Sequence, residues 1–123
     1  MKRAHFPGRA PIDSYGRGGF RFAGMSHRGS IMALPDGISE WDAVQGGALG
    51  VADFRILEQT ASLPQILLVG TGRSITFLDA GLRDYLRALR LNVDTMDTGA
   101  AVRTYNILLE EGRSVGAALV AVE

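Results

Sequence analysis

The sequence predicts a single α/β domain with a mixed β-sheet, and three observations lead to this prediction. A short apolar run at residues 65–70 is typical of a central strand buried on both faces. Helical and strand patterns alternate after this run, as they do in α/β proteins. Residues 11–35 carry the pattern of antiparallel strands. The length of 123 residues fits one domain, which we place at residues 11–123 after a flexible N-terminal tail at residues 1–10.

The first third of the chain predicts an N-terminal β-hairpin of two strands. Phe20 and Phe22 flank Arg21, which is the period-two alternation of a strand with one buried face. Residues 26–29, Ser-His-Arg-Gly, are predicted as the tip of this hairpin, and Pro-Asp-Gly at residues 35–37 as a turn. Residues 38–42 favour a further short strand. Residues 51–57 fit either a strand or one helical turn, and the pattern does not separate the two.

The second half predicts two main helices between buried strands. Residues 79–91 have Leu82, Leu86 and Leu89 at the spacing of one buried helix face. A strand edge at residues 91–94 follows. The second helix is predicted to begin after Thr98 as its N-cap and to end before Gly112, and residues 115–122 form a last apolar strand.

Composition and charge exclude several classes of function. Cys is absent, which excludes disulfides, thiolate metal sites and a Cys nucleophile. The net charge is zero, but the chain up to Arg28 is basic, with six cationic residues against Asp13 alone. Nucleic-acid binding usually requires a larger basic field, so no nucleic-acid partner is expected. The basic segment indicates instead a solvated face, or a patch that meets an acidic protein or acidic lipid.

The sequence favours a cytoplasmic protein. It has no apolar run of signal-peptide or membrane-spanning length, and Pro7, Gly8 and Pro11 interrupt any amphipathic helix of the transit-peptide type. Arg outnumbers Lys twelve to one, a usage associated with GC-rich bacterial genomes.

The turn after the central strand, Gly70-Thr71-Gly72, is a candidate ligand site because α/β proteins bind ligands at strand ends. It is neither a dinucleotide fingerprint nor a P-loop, since the third Gly and the Gly-Lys pair are missing. Two hypotheses remain: a plain tight turn, or a site where backbone N–H groups and Arg73 hold an anion.

No other motif indicates a reaction. Residues 24–29 miss the nucleophile elbow because the closing Gly is one residue late. His5 and His27 are expected to be exposed, and two isolated histidines do not make a metal site. We therefore expect no metal and no cofactor. Trp41 is interpreted as a packing residue.

The second helix contains an unusual segment, Arg103-Thr104-Tyr105-Asn106, whose last three residues are mediocre helix formers. Tyr105 falls on the predicted core face, with Thr104 at its margin. Arg103 and Asn106 fall on a polar stripe with Glu110. This stripe is either a surface Arg-to-Glu brace, or one wall of a polar pocket completed by the Gly70-Thr71-Gly72 turn.

Three segments together resemble a known family. They are Gly-Phe-x-Phe-x-Gly at residues 19–24, the strand that ends in Gly-Thr-Gly at residues 70–72, and Met-x-Thr-x-x-Ala-x-Arg-Thr-Tyr-Asn-x-Leu at residues 96–108. The chain resembles the bacterial and archaeal domain family that also contains the mitochondrial complex I (NADH dehydrogenase) assembly factor 3. The resemblance covers nearly the whole chain.

The resemblance implies a three-layer α/β domain around a mixed sheet, and a non-catalytic helper role in building a membrane enzyme. A shared family site would map onto eight positions here: Thr71, Gly72, Thr98, Arg103, Thr104, Tyr105, Asn106 and Arg113.

Two functional hypotheses follow. The first is a non-catalytic assembly-factor-like protein that acts on a protein partner, with peripheral association at the inner membrane, as a monomer or a homodimer. The second is a domain that binds a small molecule or an anion, with or without an enzymatic activity, at the Gly70–Gly72 turn and the Arg103–Asn106 segment.

Overall fold

A computed structural model of the chain describes residues 5–123. Over this range the chain forms nine strands, two α-helices and one 3₁₀ helix. In chain order these are β1 (His5–Phe6), β2 (Ile12–Gly16), β3 (Gly19–Phe22), β4 (Met25–Arg28), β5 (Ser30–Leu34), β6 (Gly37–Trp41), the 3₁₀ helix (Val51–Glu58), β7 (Ile66–Gly70), α1 (Ala80–Ala88), β8 (Asn92–Met96), α2 (Thr98–Glu110) and β9 (Val115–Leu119).

Six of the strands form a mixed sheet in the order β1-β6-β5-β9-β7-β8. Strand β7 lies between β9 and β8 and runs parallel to both, whereas the other neighbours in this sheet are antiparallel. The side chains of Leu67, Leu68 and Val69 are buried on the two faces of β7. The predicted central strand is therefore confirmed, and β8 is the predicted edge strand.

The large sheet separates two hydrophobic cores, which gives the domain its three layers. Successive residues of a strand point to opposite faces, so Ile31 contributes to one core and Met32 to the other. The first core lies under α2 and the β2-β3-β4 sheet. The second lies under α1 and the 3₁₀ helix, where the rings of Trp41 and Phe54 pack in a T-shaped arrangement. The predicted α/β class and mixed central sheet are confirmed.

The N-terminal segment forms a second, three-stranded antiparallel sheet in the order β2-β3-β4. The prediction of a hairpin tip at residues 26–29 is wrong, because Ser26, His27 and Arg28 belong to β4. The actual tips are the pairs Arg17-Gly18 and Ala23-Gly24, in which all four residues have positive φ between 50° and 79°. Two residues with positive φ match the natural twist of paired strands, which is the geometry of the tightest hairpins.

The helix ends follow capping chemistry. Helix α1 begins after the predicted Asp79, whose Oδ1 accepts from the backbone N–H of Leu82 at 2.8 Å. For α2 the prediction of Thr98 as N-cap is wrong by one residue: Asp97 is the cap, with its Oδ1 accepting from the N–H of Ala100 at 2.9 Å. Gly112 ends α2 with φ 77° and donates its N–H to the carbonyl of Leu109, as predicted.

Residues 51–57, for which the sequence left strand and helical turn open, lie in the 3₁₀ helix with Phe54 and Leu57 buried. The predicted tail at residues 1–10 lies partly outside the described residues. In its described part, residues 5–6 pair with β6 as β1, and Ala10 is buried in the first core. Between residues 5 and 123, no helix is long and apolar enough to cross a membrane.

Candidate functional site

The Gly70-Thr71-Gly72 turn lies where the parallel strands β7, β8 and β9 end. The backbone N–H of Thr71 donates to the carbonyl of Met96 at 2.9 Å, and the N–H of Gly72 donates to the hydroxyl of Thr98 at 3.0 Å. The N–H of Arg73 donates to Oε1 of Gln45 at 2.8 Å. The three N–H groups on which an anion site would depend are thus bonded within the chain.

The hydroxyl of Thr71 organises the loop that follows the turn. It donates to the carbonyl of Ser74 and accepts from the N–H of Thr76, each at 2.9 Å. Thr71 is itself buried, whereas residues 73–77 are exposed. This threonine therefore holds the exposed loop against the end of β7.

Thr98 connects three elements at the first turn of α2. Its side chain is fully buried, and its hydroxyl donates to the carbonyl of Val120 at 2.7 Å while accepting from the N–H of Gly72. The close approach depends on Gly70, since a Cβ there would lie 2.9 Å from the Cα of Thr98 and 3.0 Å from the Cβ of Ala101. The family-site residues Thr71, Gly72 and Thr98 are brought together.

The middle of α2 bonds to a different part of the chain. The Oδ1 atom of Asn106 accepts from the backbone N–H of Ile12, and its Nδ2 donates to the carbonyl of the same residue, both at 2.8 Å. The hydroxyl of the buried Tyr105 donates to the carbonyl of Ala10 at 3.2 Å. Burial raises the pKa of Tyr105 to about 12, and the nearby charge of Arg9 opposes this shift.

The polar stripe of α2 does not reach the strand-end turn as one surface. Asn106 lies eight residues after Thr98, which is about 12 Å along a helix axis, and it faces β2. Arg103 is exposed beside Gly99 and the hydroxyl of Tyr15. Within residues 5–123 it makes no salt bridge, so the brace to Glu110, one of the two alternatives that the sequence left open for this stripe, is not formed.

Thr104 is half-buried at the margin of the core face, and Arg113 is exposed at the far end of α2, where its carbonyl accepts from the guanidinium of Arg9 at 2.6 Å. The nine candidate residues therefore divide into three groups. One group surrounds the turn (Thr71, Gly72, Arg73 and Thr98), one holds residues 10–12 (Tyr105 and Asn106), and one is separate from both (Arg103, Thr104 and Arg113).

A cavity of about 380 Å³ does lie beside the turn, and its described lining includes no residue of α2. The loops at residues 42–50 and 71–79 line it, and the Gln45–Arg73 hydrogen bond joins these loops. Three large apolar side chains of the loops are exposed: Phe77 by 78%, Val44 by 67% and Ile75 by 46%. We call Val44, Ile75 and Phe77 the loop patch.

A second concave surface lies on the β2-β3-β4 sheet, with a volume of about 570 Å³. Its polar lining includes Tyr15, Arg17, Arg21, Ser26, His27 and Arg28, and we call it the basic groove. The expectation that His27 is exposed is wrong, because its side chain is half-buried on the face of β4 that pairs with the buried Phe20. Its Nε2 atom is buried and has no hydrogen-bond partner among the described residues.

Comparison with known proteins identifies the family. A family model described as a protein of unknown function, DUF498/DUF598, matches residues 12–120. The chain belongs to this family. The match covers most of the domain, including both hairpin tips, the strand-end turn and all of α2.

Relatives of this DUF498 domain include the proteins that the sequence resemblance indicated. It is 30% identical over 120 residues to the NADH dehydrogenase [ubiquinone] 1 alpha subcomplex assembly factor 3 of Mus musculus, which confirms the resemblance. That alignment covers 98% of the chain but 65% of the mouse protein, so the chain spans less than two thirds of that relative. An uncharacterized Rhodobacter capsulatus protein is 41% identical over 94% of the chain and 87% of its own length.

The fold of the DUF498 domain is also found in solved structures. A Bartonella henselae protein described as an outer membrane protein superposes with a TM-score of 0.87 at 52% identity. The superposition covers 96% of this chain and 99% of that one. The layered α/β architecture is therefore shared across the length of the domain.

The loop patch of this DUF498 domain is not predicted by the sequence patterns. The available signal was the pair Ile75 and Phe77, two large apolar residues in a segment that has no strand or helix pattern. Their exposure depends on whether another element of the fold covers them, and local sequence patterns do not indicate this. The cations of the basic groove are predicted as a charge excess, but the strand that carries His27 and Arg28 is not, because residues 26–29 are predicted as a hairpin tip.

Proposed function

We propose that this domain is a non-catalytic, assembly-factor-like protein that binds a protein partner through the loop patch. Membership of the DUF498 family and the relationship to the mouse NADH dehydrogenase assembly factor support this role. The partner would then be a subunit of a respiratory complex or another membrane protein during its biogenesis. Such a protein acts in the cytoplasm and associates peripherally with the inner membrane through its partner.

The observation that carries the proposal is the exposure of Phe77, Val44 and Ile75 on adjoining loops. Single exposed apolar residues are common, but Val44 and Phe77 line the same cavity from two different loops, and exposed apolar surface at a concavity is typical of a protein-binding surface. An exposed aromatic ring also makes a favourable anchor, because it buries a large area with few side-chain torsions to fix. The cavity behind Phe77 provides space for a partner side chain.

The hydrogen bonds that hold the two loops of the patch support its use in recognition. Thr71 fixes the loop through its bonds to Ser74 and Thr76, and Gln45 fixes the neighbouring loop through Arg73. A surface held in one conformation loses less entropy on binding. The apolar side chains are therefore presented on a rigid base.

The test is affinity capture of a tagged copy from detergent-solubilised native membranes, with bound proteins identified by mass spectrometry. The variants Phe77→Ser and Val44→Ser are compared with Ile107→Ser, which removes another exposed apolar side chain, 57% exposed on α2. We expect wild type and Ile107→Ser to enrich respiratory-complex subunits, and the patch variants to lose at least about tenfold of that signal. Absence of any respiratory or membrane-biogenesis component, or equal capture by Phe77→Ser, would contradict the proposal.

The alternative hypothesis from the sequence, a domain that binds an anion, gains no support from the strand-end turn, where the N–H groups are bonded within the chain. It gains support from a different surface, the basic groove.

A further inference from the structure

We infer that the basic groove binds a compact polyanion with two or more phosphate groups. The inference is independent of the loop patch and its partner. The groove is on the small β-sheet, where three arginines converge from adjacent strands and a hairpin tip: Arg17, Arg21 and Arg28.

The strand register places two of these arginines close together. Arg21 pairs with Ser26 across β3 and β4, and Arg28 lies two residues further along β4, so it faces the same side as Ser26. Diagonal neighbours of this kind have Cα atoms about 7–8 Å apart. One compact ligand therefore reaches both guanidinium groups.

The positive charge of the groove is not neutralised within the described chain. Between residues 5 and 123, no carboxylate lies within salt-bridge distance of Arg17, Arg21 or Arg28. Neither Asp13 nor Glu123 lines the groove, although Glu123 lies near Gly18 at the hairpin tip. Three like charges on a small surface repel one another, so an anionic ligand would stabilise the arrangement.

The other groups of the lining suit phosphate oxygens. The hydroxyls of Ser14 and Ser26 lie on the same face as Arg21 and are available as donors, although Ser26 already accepts from Nη1 of Arg21 at 2.9 Å. His27 pairs with the buried Phe20 across β3 and β4, so its side chain lies on the opposite face of the sheet from Arg21 and Arg28. Gly16 leaves open space, since no atom lies within 4 Å of where its Cβ would stand.

The amount of charge indicates more than one phosphate group. A carboxylate carries one negative charge, whereas a phosphate monoester carries about 1.5 to 2 near neutral pH. Three arginines are thus matched by about two phosphate groups. Guanidinium groups also bind phosphate oxygens in a bidentate manner, which favours Arg over Lys at such sites. The volume of about 570 Å³ is large enough for a ligand of this size.

The polyphosphate chemistry has two sources, a free anion or a lipid headgroup, and two probes separate them. Inorganic pyrophosphate is titrated into the full chain by calorimetry, with orthophosphate for comparison. Flotation uses phosphatidylcholine vesicles with and without cardiolipin, whose headgroup carries two phosphates. Binding of pyrophosphate, or of the cardiolipin vesicles alone, supports the inference and identifies the source.

Matched variants locate the site. Arg21→Gln combined with Arg28→Gln removes two groove charges, and Arg83→Gln combined with Arg87→Gln removes two exposed charges on α1. We expect the groove pair to weaken binding about tenfold or more for each arginine, and the α1 pair to change it less than about threefold. If the double variant fails to fold, Arg17→Asn is used instead. Asn tolerates the left-handed backbone that Arg17 adopts, with φ 54°.

Three outcomes would overturn the inference. They are no binding of either probe, equal weakening by the groove and α1 pairs, and binding of a glutamate-rich peptide in the groove without binding of pyrophosphate or cardiolipin. Added salt should weaken binding of the polyanion to the wild type more than to Arg17→Asn, because the variant makes fewer ionic contacts that salt can screen.

Discussion

Two regions next to Gly72 differ in how they treat their side chains. Polar side chains of helix α2 form hydrogen bonds with the backbone of other elements, whereas large apolar side chains of the 71–79 loop are exposed. Thr98, Tyr105 and Asn106 each bond to a backbone group far away in sequence. Phe77 is 78% exposed on a loop that is itself well anchored. The difference indicates that Thr98, Tyr105 and Asn106 contribute to the stability of the fold, and it supports our proposal that the neighbouring loops bind the partner.

The largest effect expected for a polar side chain is that of Thr98→Val, which tests the structural side of this comparison. Valine keeps the shape of threonine but leaves the buried N–H of Gly72 and carbonyl of Val120 without their partner. We expect a loss of about 3 kcal/mol in the free energy of unfolding, measured by urea denaturation. Thr98→Ser should recover most of it because the hydroxyl remains.

Thr104→Val is the matched control on the same helix. The Thr104 side chain makes no hydrogen bond within residues 5–123, so its replacement should change the free energy of unfolding by less than about 0.5 kcal/mol. Equal losses for the two threonines would show that the strand-end hydrogen bonds do not stabilise the fold.

Tyr105 provides a pH-dependent test of the structural role of the polar residues on α2. Its pKa is about 12 in the folded protein, against about 10 when unfolded, because burial disfavours the phenolate. Between these values the unfolded state releases a proton that the folded state keeps, so stability falls as pH rises. The contribution is fully present below about pH 10, and about 2–3 kcal/mol is lost by about pH 12.

Urea denaturation of wild type and Tyr105→Phe at neutral pH and from about pH 9 upward measures this contribution of Tyr105 to the free energy of unfolding. At neutral pH the phenylalanine variant should be less stable by about 1 kcal/mol, since the hydrogen bond to Ala10 is lost. As the pH rises, the stability of wild type should fall below that of the variant. Parallel pH profiles would indicate that Tyr105 is not protected from solvent.

Asn106→Ala should cost about 2 kcal/mol, because it leaves both the N–H and the carbonyl of Ile12 without their partner in a half-buried place. Arg103→Ala is the control from the same polar stripe, and we expect a change below about 0.5 kcal/mol for this exposed residue. Thermal unfolding and urea denaturation both measure the difference. An unchanged stability of Asn106→Ala, with loss of partner capture, would instead assign Asn106 to a binding site.

Local patterns predicted the parts of the fold that local chemistry decides. The run at β7 requires burial on both faces, and the spacing of Leu82 and Leu86 requires a helix with one apolar face, so both elements were predicted. The hairpin tips were not, because Arg17 and Ala23 have positive φ, which these residue types seldom adopt. A local rule that requires Gly or Asn at the first turn position does not identify these two turns.

The candidate site was less predictable because it depends on distant contacts. Asn106 could be placed on a polar stripe, but its partner Ile12 lies 94 residues earlier in the chain, and no spacing rule connects them. Whether Phe77 is covered likewise depends on the 42–50 loop. The basic groove was predictable only as a charge excess, since its shape requires the true register of β3 and β4.

The smallest expected effect on stability is from Phe77→Ser, which tests the other side of the comparison. A phenylalanine exposed by 78% loses little contact with the protein when truncated, so the free energy of unfolding should change by less than about 0.5 kcal/mol. Leu78, its neighbour, is buried in the second core and gives the contrast: Leu78→Ala should cost about 2–4 kcal/mol. Urea denaturation of the two variants measures both values. If Phe77→Ser destabilised the protein as much as Leu78→Ala, the ring would be part of the core, and any loss of partner capture would reflect unfolding. An unchanged stability together with lost capture is the combination that assigns Phe77 to recognition, because removal of an exposed side chain then acts on the complex and leaves the free protein as it was.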